Sequence, residues 1–265
     1  EILKIDTLEG MGYDIIANNA REMLASMTTL LNTNWNGQNL FAGTDSAFPP
    51  LRDSTHLTDW AQDQLNAATS GGPLGADEAE ALIGTFDAMF ANADRDVSGG
   101  TSFYGLVYQS TSRTSLAGSS DAESDAPSLI RIGAGETLSY NVRADNPAFK
   151  DAFKALSLLS TLDAPDSQLS DEAKAVLLDQ AGELMRSARS QLTVVAGVLG
   201  GKQKRLEDVA EIQDRAITAA TAQINDLEEV DYYTVSDRIN TLQIQLQATY
   251  AITAQLSKLS LVNYL

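Results

Sequence analysis

The chain carries one histidine, His56, and no cysteine. Imidazole and thiolate are the groups that most often hold zinc or act as base or nucleophile near neutral pH, so little of that chemistry can be assembled. An HExxH helix needs two histidines, and neither it nor any His-rich zinc site can be built. A Ser-His-Asp triad would have to use His56. That residue sits in RDSTHLTDW without the Gly-x-Ser-x-Gly turn that exposes a nucleophile, and a surface histidine at a helix start is expected instead. Asp121, Glu123 and Asp125 in SSDAESDAPS alternate as ligands do at the start of a calcium loop. The turn glycine and the distal glutamate of such a loop are missing, so a solvated acidic loop is expected there, and likewise at Asp94 and Asp96. Trp35, Trp60, Phe103, Tyr104 and Tyr108 could stack on a sugar ring, although aromatics near strand and helix starts ordinarily serve the core. No GxGxxG or P-loop pattern occurs. The expectation is a protein without catalytic residues, metal or cofactor.

The residues left to explain are those at the C-terminus. Acidic residues number 36 against 18 basic ones, a formal charge of −18, which should repel phosphate backbones and anionic lipid. Nucleic-acid and membrane-surface binding are excluded on that ground. Yet RINTLQIQLQATYAITAQLSKLSLVNYL, from residue 238 to the end, has no Asp or Glu and only Arg238 and Lys258 as charged side chains. No apolar run reaches the roughly 18 to 20 residues needed to span a bilayer, and no charged stretch followed by an apolar one opens the chain, so a soluble protein is expected. The first residues read as the middle of a helix, and a segment preceding Glu1 is expected.

The spacing of Ile5, Leu8, Ile15, Ile16, Met23, Leu24, Met27, Leu30 and Leu31 predicts a long amphipathic helix over residues 2–31, weakest at Gly10 and Gly12. It should stop in NTNWNGQN, where Asn34, Asn36 and Gly37 supply turn chemistry, with 40–43 extended beyond it. Residues 44–143 are rich in Pro, Gly, Ser and Asp and read as an inserted α/β unit. Helices are expected there over 56–68 and 76–91, and strands over 103–109 and 129–142, the second as a hairpin through Gly133 and Gly135. Helix returns after Asn146 as N-cap with Pro147 at the first helical position, and again after Ser170, with Asp171 and Glu172 set against the helix dipole. That second helix should run to about 227, with a kink at Gly197 or Gly200-Gly201. A last helix follows from 231. The fold class expected is mainly α with an inserted α/β domain, an elongated antiparallel helical rod ending in a C-terminal coiled-coil helix. Its parts are an ascending helix (1–43), the outer insertion (44–143), descending helices (144–230) and the assembly helix (231–265).

In that last helix Val235, Ile239, Leu242, Leu246, Thr253 and Leu256 recur near 3-4 spacing, while Ile244, Ile252 and Leu259 fall off the main stripe. An isolated helix of this length is marginal in water. Seating Ile239, Leu242, Leu246, Ile252, Leu256, Leu259 and Leu261 would contribute on the order of 10 kcal/mol before ordering costs. The helix therefore needs a neighbour, and the width of its apolar surface favours more than one. Either it closes the core of its own domain or it packs on other subunits; periodicity leaves both open.

Two phrases extend the reading. NWNGQNLFAGTDSAFPP at 34–50 resembles the element of the flagellar hook-associated protein 3 family, relatives of flagellin, where a rising helix gives way to a phrase like YLFAGT. LQATYAITAQLSKLSLVNYL resembles that family's C-terminus, which closes on a Leu-Asn-Tyr-Leu-like phrase. GGKQKRLEDVAEIQDRAITAATAQINDLEEVDYYTVSDRI is similar to the superfamily's descending helix and its joint, and IRIGAGETLSYNVRADNPAFKDAFKAL to the exit from the inserted domain. The resemblance leaves residues 52–128 uncovered, and Gly200-Gly201 departs from it.

What the resemblance implies is an extracellular structural adaptor, exported by the flagellar type III route without a cleaved signal. It would form a ring between hook-associated protein 1 and flagellin, contacting copies of itself, with an export chaperone as a further candidate partner. The terminal helices would line the inner tube as coiled coils, and the insertion would face outward. The interface residues so implied are Ile239, Leu242, Leu246, Tyr250, Ile252, Leu256, Leu259, Leu261 and Leu265. A flagellin filament subunit is the alternative within the superfamily, and a surface adhesin or carbohydrate-binding protein the alternative outside it.

Overall fold

A computed structural model describes residues 12–43, 46–92, 102–108, 129–133, 135–139, 142–164, 168–228 and 232–262. Among the described residues the protein is mainly helical with two small two-stranded sheets and a long C-terminal helix, the class expected. It divides into two units, Glu1–Lys204 and Arg205–Leu265.

In the first unit, α1 (Tyr13–Leu31) buries Ile16, Ala17, Ala20, Leu24 and Leu31, the i, i+4 face that its spacing dictates. The residues before it, where the expected helix began, lie outside the described ones. α1 gives way to a hairpin of β1 (Asn34–Trp35) and β2 (Gln38–Asn39). Asn36 and Gly37 take φ of 50° and 81° at its tip, the left-handed pair that matches the twist of two short strands. Residues 40–43, expected to be extended, instead form turns. Asn39 bonds Ser46 through both its backbone N–H and its side chain, and Leu40 N–H donates to Thr33, so the chain curls back rather than running on.

α2 (Thr55–Ala68) and α3 (Ala76–Ala91) stand where the periodicity placed them. Glu78 reaches back to the Gly75 N–H at 3.0 Å and fixes the start of α3. The strand expected over 103–109 is a correction: Phe103–Leu106 is a short helix, α4. Ser102 Oγ accepts the Gly105 N–H at 3.0 Å, and that capped turn seats both rings inside. Phe103 meets Phe90 at 5.7 Å between centroids, while Lys150 Nζ lies 4.7 and 4.8 Å from the Phe103 and Tyr104 rings. Among the described residues of that stretch, strand pairing survives only at Tyr108, which bridges Leu51.

β3 (Leu129–Gly133) and β4 (Glu136–Ser139) form the expected hairpin, with Gly135 at φ 87°. The second strand is described to Ser139, and residues 140 and 141 of the expected stretch lie outside the described ones. α5 (Pro147–Leu159) begins as the sequence requires, Asn146 Oδ1 accepting the Ala148 N–H at 3.0 Å ahead of Pro147. α1, α2 and α3 all pack on it, so it buries Phe153, Leu156 and Leu158 and even Lys154. Burial holds the Lys154 pKa below its ordinary value, and Asp87 of α3 supplies the counter-charge. Arg21 ties the end of α5 to α1, donating to the Ser160 carbonyl at 2.6 Å and pairing with Asp163 at 2.7 Å.

α6 (Asp171–Glu228) opens on Ser170, whose Oγ accepts the Ala173 N–H. Its first turns bury Ala173, Leu177, Ala181 and Ala188. Helices α2 and α3, drawn from the stretch read as an insertion, thus share one core with α1, α5 and the start of α6. Among the described residues, none after Ala188 is buried.

Candidate assembly surface

The second unit holds the end of α6 and α7 (Tyr232–Val262). Along α7 the residues Val235, Ile239, Leu242, Leu246, Thr249, Thr253 and Leu256 follow a 4-3 alternation, which keeps one seam on one side of a helix. Thr249 and Thr253 donate their hydroxyls to the carbonyls of Gln245 and Thr249 at 2.7 and 2.8 Å. Both hydroxyls are therefore satisfied within the helix and leave methyl groups to face a neighbour. Ile244 lies on the other side, two residues beyond Leu242 at about 100° per residue.

Every expected interface residue whose side chain is described is exposed, from 51 % for Ile239 to 70 % for Tyr250, with Leu242, Leu246, Ile252 and Leu256 between. Leu259 and Leu261 fall within α7, but their side chains lie outside the described residues, as does Leu265 entirely. The helix places the described residues on one element and leaves them uncovered. Apolar area left exposed in this way can be removed from water by a neighbour.

Sequence reasoning passed over a second set. On α6, Leu206, Ile212, Ile217, Ile224 and Leu227 are exposed too. Their separations of six, five, seven and three residues form no regular 3-4 stripe, so spacing did not single them out.

The other candidates resolve individually. His56 is exposed in the first turn of α2, beside Asp53, whose carboxylate accepts the Thr55 N–H at 2.9 Å; that bond lowers the Asp53 pKa. Trp60 packs on Phe86 at 4.8 Å, and Phe103, Tyr104 and Tyr108 are buried. Only Trp35 of the five aromatics stands out in solvent, 69 % exposed on the β1–β2 hairpin. Asp94, Asp96, Asp121, Glu123 and Asp125 lie outside the described residues. Among the described residues no group of three His, Asp or Glu side chains could hold a metal ion, and no helix is long and apolar enough to cross a membrane.

Residues 183–265 match the family described as the bacterial flagellin C-terminal helical region. That match supports membership of the flagellin superfamily. The match takes in all of α7 and α6 from residue 183 onward, and beyond Ala188 none of the described residues in it is buried. It supports a structural rather than enzymatic role in the flagellum, at an extracellular location and through association between copies. No curated protein and no solved structure matches the chain.

Proposed function

We propose that this flagellin-superfamily chain is the adaptor at the hook–filament junction, seated between hook-associated protein 1 and flagellin and held by its terminal helices. The observation that carries the reading is α7, an apolar helix with Asp237 as its one acid in a chain of charge −18, whose described side chains are all exposed. Its near neutrality lets copies pack side by side without the repulsion the rest of the chain would impose. The junction, rather than the filament itself, is favoured by the closing phrase LSLVNYL and by NWNGQNLFAGT at the end of α1, both resembling hook-associated protein 3. Export through the flagellar channel and an outward-facing middle region follow from the same resemblance.

The test is polymerisation of the full-length protein. Ammonium sulfate is raised stepwise and the products are viewed by electron microscopy, with and without added flagellin. Short rings or soluble protein that extend only when flagellin is supplied support the adaptor. Long filaments from the protein alone would make it a flagellin filament subunit.

A further inference from the structure

Asn36-Gly37 is the one place in the sequence where glycine follows asparagine, and no Asp-Gly pair occurs. An asparagine side chain brings its amide carbon close to the backbone nitrogen of the next residue, and glycine leaves that nitrogen unhindered because it has no Cβ. The fold adds three conditions at this pair. Asn34, Trp35, Asn36, Gly37 and Gln38 are all exposed, so water reaches the whole tip of the β1–β2 hairpin. An added Cβ on Gly37 meets nothing within 4 Å, so no neighbouring element crowds the approach. The strands beneath have two residues each, pairing Asn34 with Asn39 and Trp35 with Gln38, and the Trp35 ring at 69 % exposure gives the tip no anchor in the core. A hairpin so short opens readily in water while the core below it stays folded.

One bond opposes the chemistry that such a pair undergoes. Asn34 Oδ1 accepts the Gly37 N–H at 2.9 Å, closing a turn in which Asn36 and Gly37 hold φ of 50° and 81°. While the turn is closed the Gly37 proton is engaged, and the nitrogen cannot swing onto the side chain of Asn36. How often the nitrogen is released therefore depends on Asn34.

We propose that Asn36 is a site of spontaneous modification, converted to aspartate and isoaspartate through attack by the Gly37 nitrogen, and that Asn34 restrains the rate by holding the Gly37 N–H. The nitrogen gives its proton to base and forms a bond to Asn36 Cγ. The Cγ–Nδ2 bond breaks, and Nδ2 leaves as ammonia after taking a proton from water. Water then opens the imide ring. Cleavage between Cγ and the Gly37 nitrogen leaves aspartate, and cleavage between that nitrogen and the main-chain carbonyl carbon of Asn36 leaves isoaspartate, with the chain running through Cβ and Cγ. Water is consumed and ammonia released, with nothing oxidised or reduced. Either product puts a carboxylate into residues 23–44, a stretch without charged side chains. Isoaspartate also adds a backbone carbon to the turn, which the pairing of Trp35 with Gln38 does not accommodate.

The experiment holds the full-length protein in mildly alkaline buffer, samples it over days, and follows the tryptic peptide 22–52 by mass spectrometry, which distinguishes aspartate from isoaspartate by retention and fragmentation. Asn32, Asn34 and Asn39 lie in the same peptide and are the internal comparison. Conversion is expected at Asn36 ahead of the others. Asn34→Ala is expected to convert about fivefold faster, the effect of losing one hydrogen bond, and Asn34→Asp, which keeps an acceptor oxygen, to stay within about twofold of the parent. In urea, where the turn is gone, parent and Asn34→Ala should convert at the same rate. Unchanged melting of the helical signal shows that each variant keeps its core. An Asn36 that stays intact in the folded protein while it converts in urea overturns the site. A folded-state rate that Asn34→Ala leaves unchanged, or raises equally in urea, overturns the role given to Asn34.

Discussion

Replacing Leu242 and Leu246 by Asp probes the surface of α7 without touching the core. Both residues are about half exposed, so each has roughly 1 kcal/mol of apolar burial still to gain when a neighbour covers it, taking 1.5–3 kcal/mol for a whole side chain. A carboxylate in the same seam loses that gain and adds a desolvation cost of several kcal/mol per ion. For the pair the penalty on association is on the order of 6 kcal/mol, about 10⁴-fold in an association constant. Leu242→Ala with Leu246→Ala removes only the apolar part, about 2 kcal/mol or roughly 30-fold. Incorporation onto flagellin-supplied ends, followed by sedimentation and microscopy, reads both. The first unit should melt within about 1 °C of the parent, because its core contains neither residue. Normal incorporation of the Asp pair, or its collapse together with the fold of the first unit, would refute the reasoning.

Gly200→Ala with Gly201→Ala should raise helix stability by about 0.5–1 kcal/mol per site, since both lie inside α6 and an added Cβ meets nothing within 4 Å; a lower melting temperature by circular dichroism would show that their flexibility is used. Phe153→Ala empties the centre of the first core and should cost about 3–5 kcal/mol in urea unfolding. Asn146→Ala removes the cap of α5 and should cost about 1 kcal/mol by the same measurement. Lys154 has a folded-state pKa below 10.5 because it is buried, so in the alkaline range below 10.5 the unfolded chain binds more protons than the folded one. Stability carried by this group therefore rises with pH from the depressed pKa toward 10.5, and Lys154→Met should flatten that rise; an unchanged slope would contradict it.

The features legible in the sequence are those set by local chemistry. Asn146 followed by Pro147, Ser170 ahead of two acids, and Asn36-Gly37 in a hairpin each satisfy backbone groups within a few residues, and each stands where expected. FYGLVY was misjudged because aromatic and β-branched residues favour strands, whereas the Ser102 cap and the distant partners Phe90 and Lys150 decide for a helical turn. The shared core of α1, α2, α3 and α5 depends on contacts far apart in the chain, which periodicity does not record. The assembly surface was legible in part, since its spacing marks a face that must be covered. Whether cover comes from the same molecule or another is not encoded in spacing, and the exposed residues from Leu206 to Leu227 on α6, irregularly separated, were not marked by it at all.

Amide hydrogen exchange over residues 232–262, compared between soluble and assembled full-length protein, asks directly whether α7 is covered by other copies. An exposed helix without a packed face should open and exchange readily in the soluble protein, then become strongly protected on assembly. Protection already complete in the soluble protein would make α7 an ordinary core helix, and exchange unchanged by assembly would remove it from the interface.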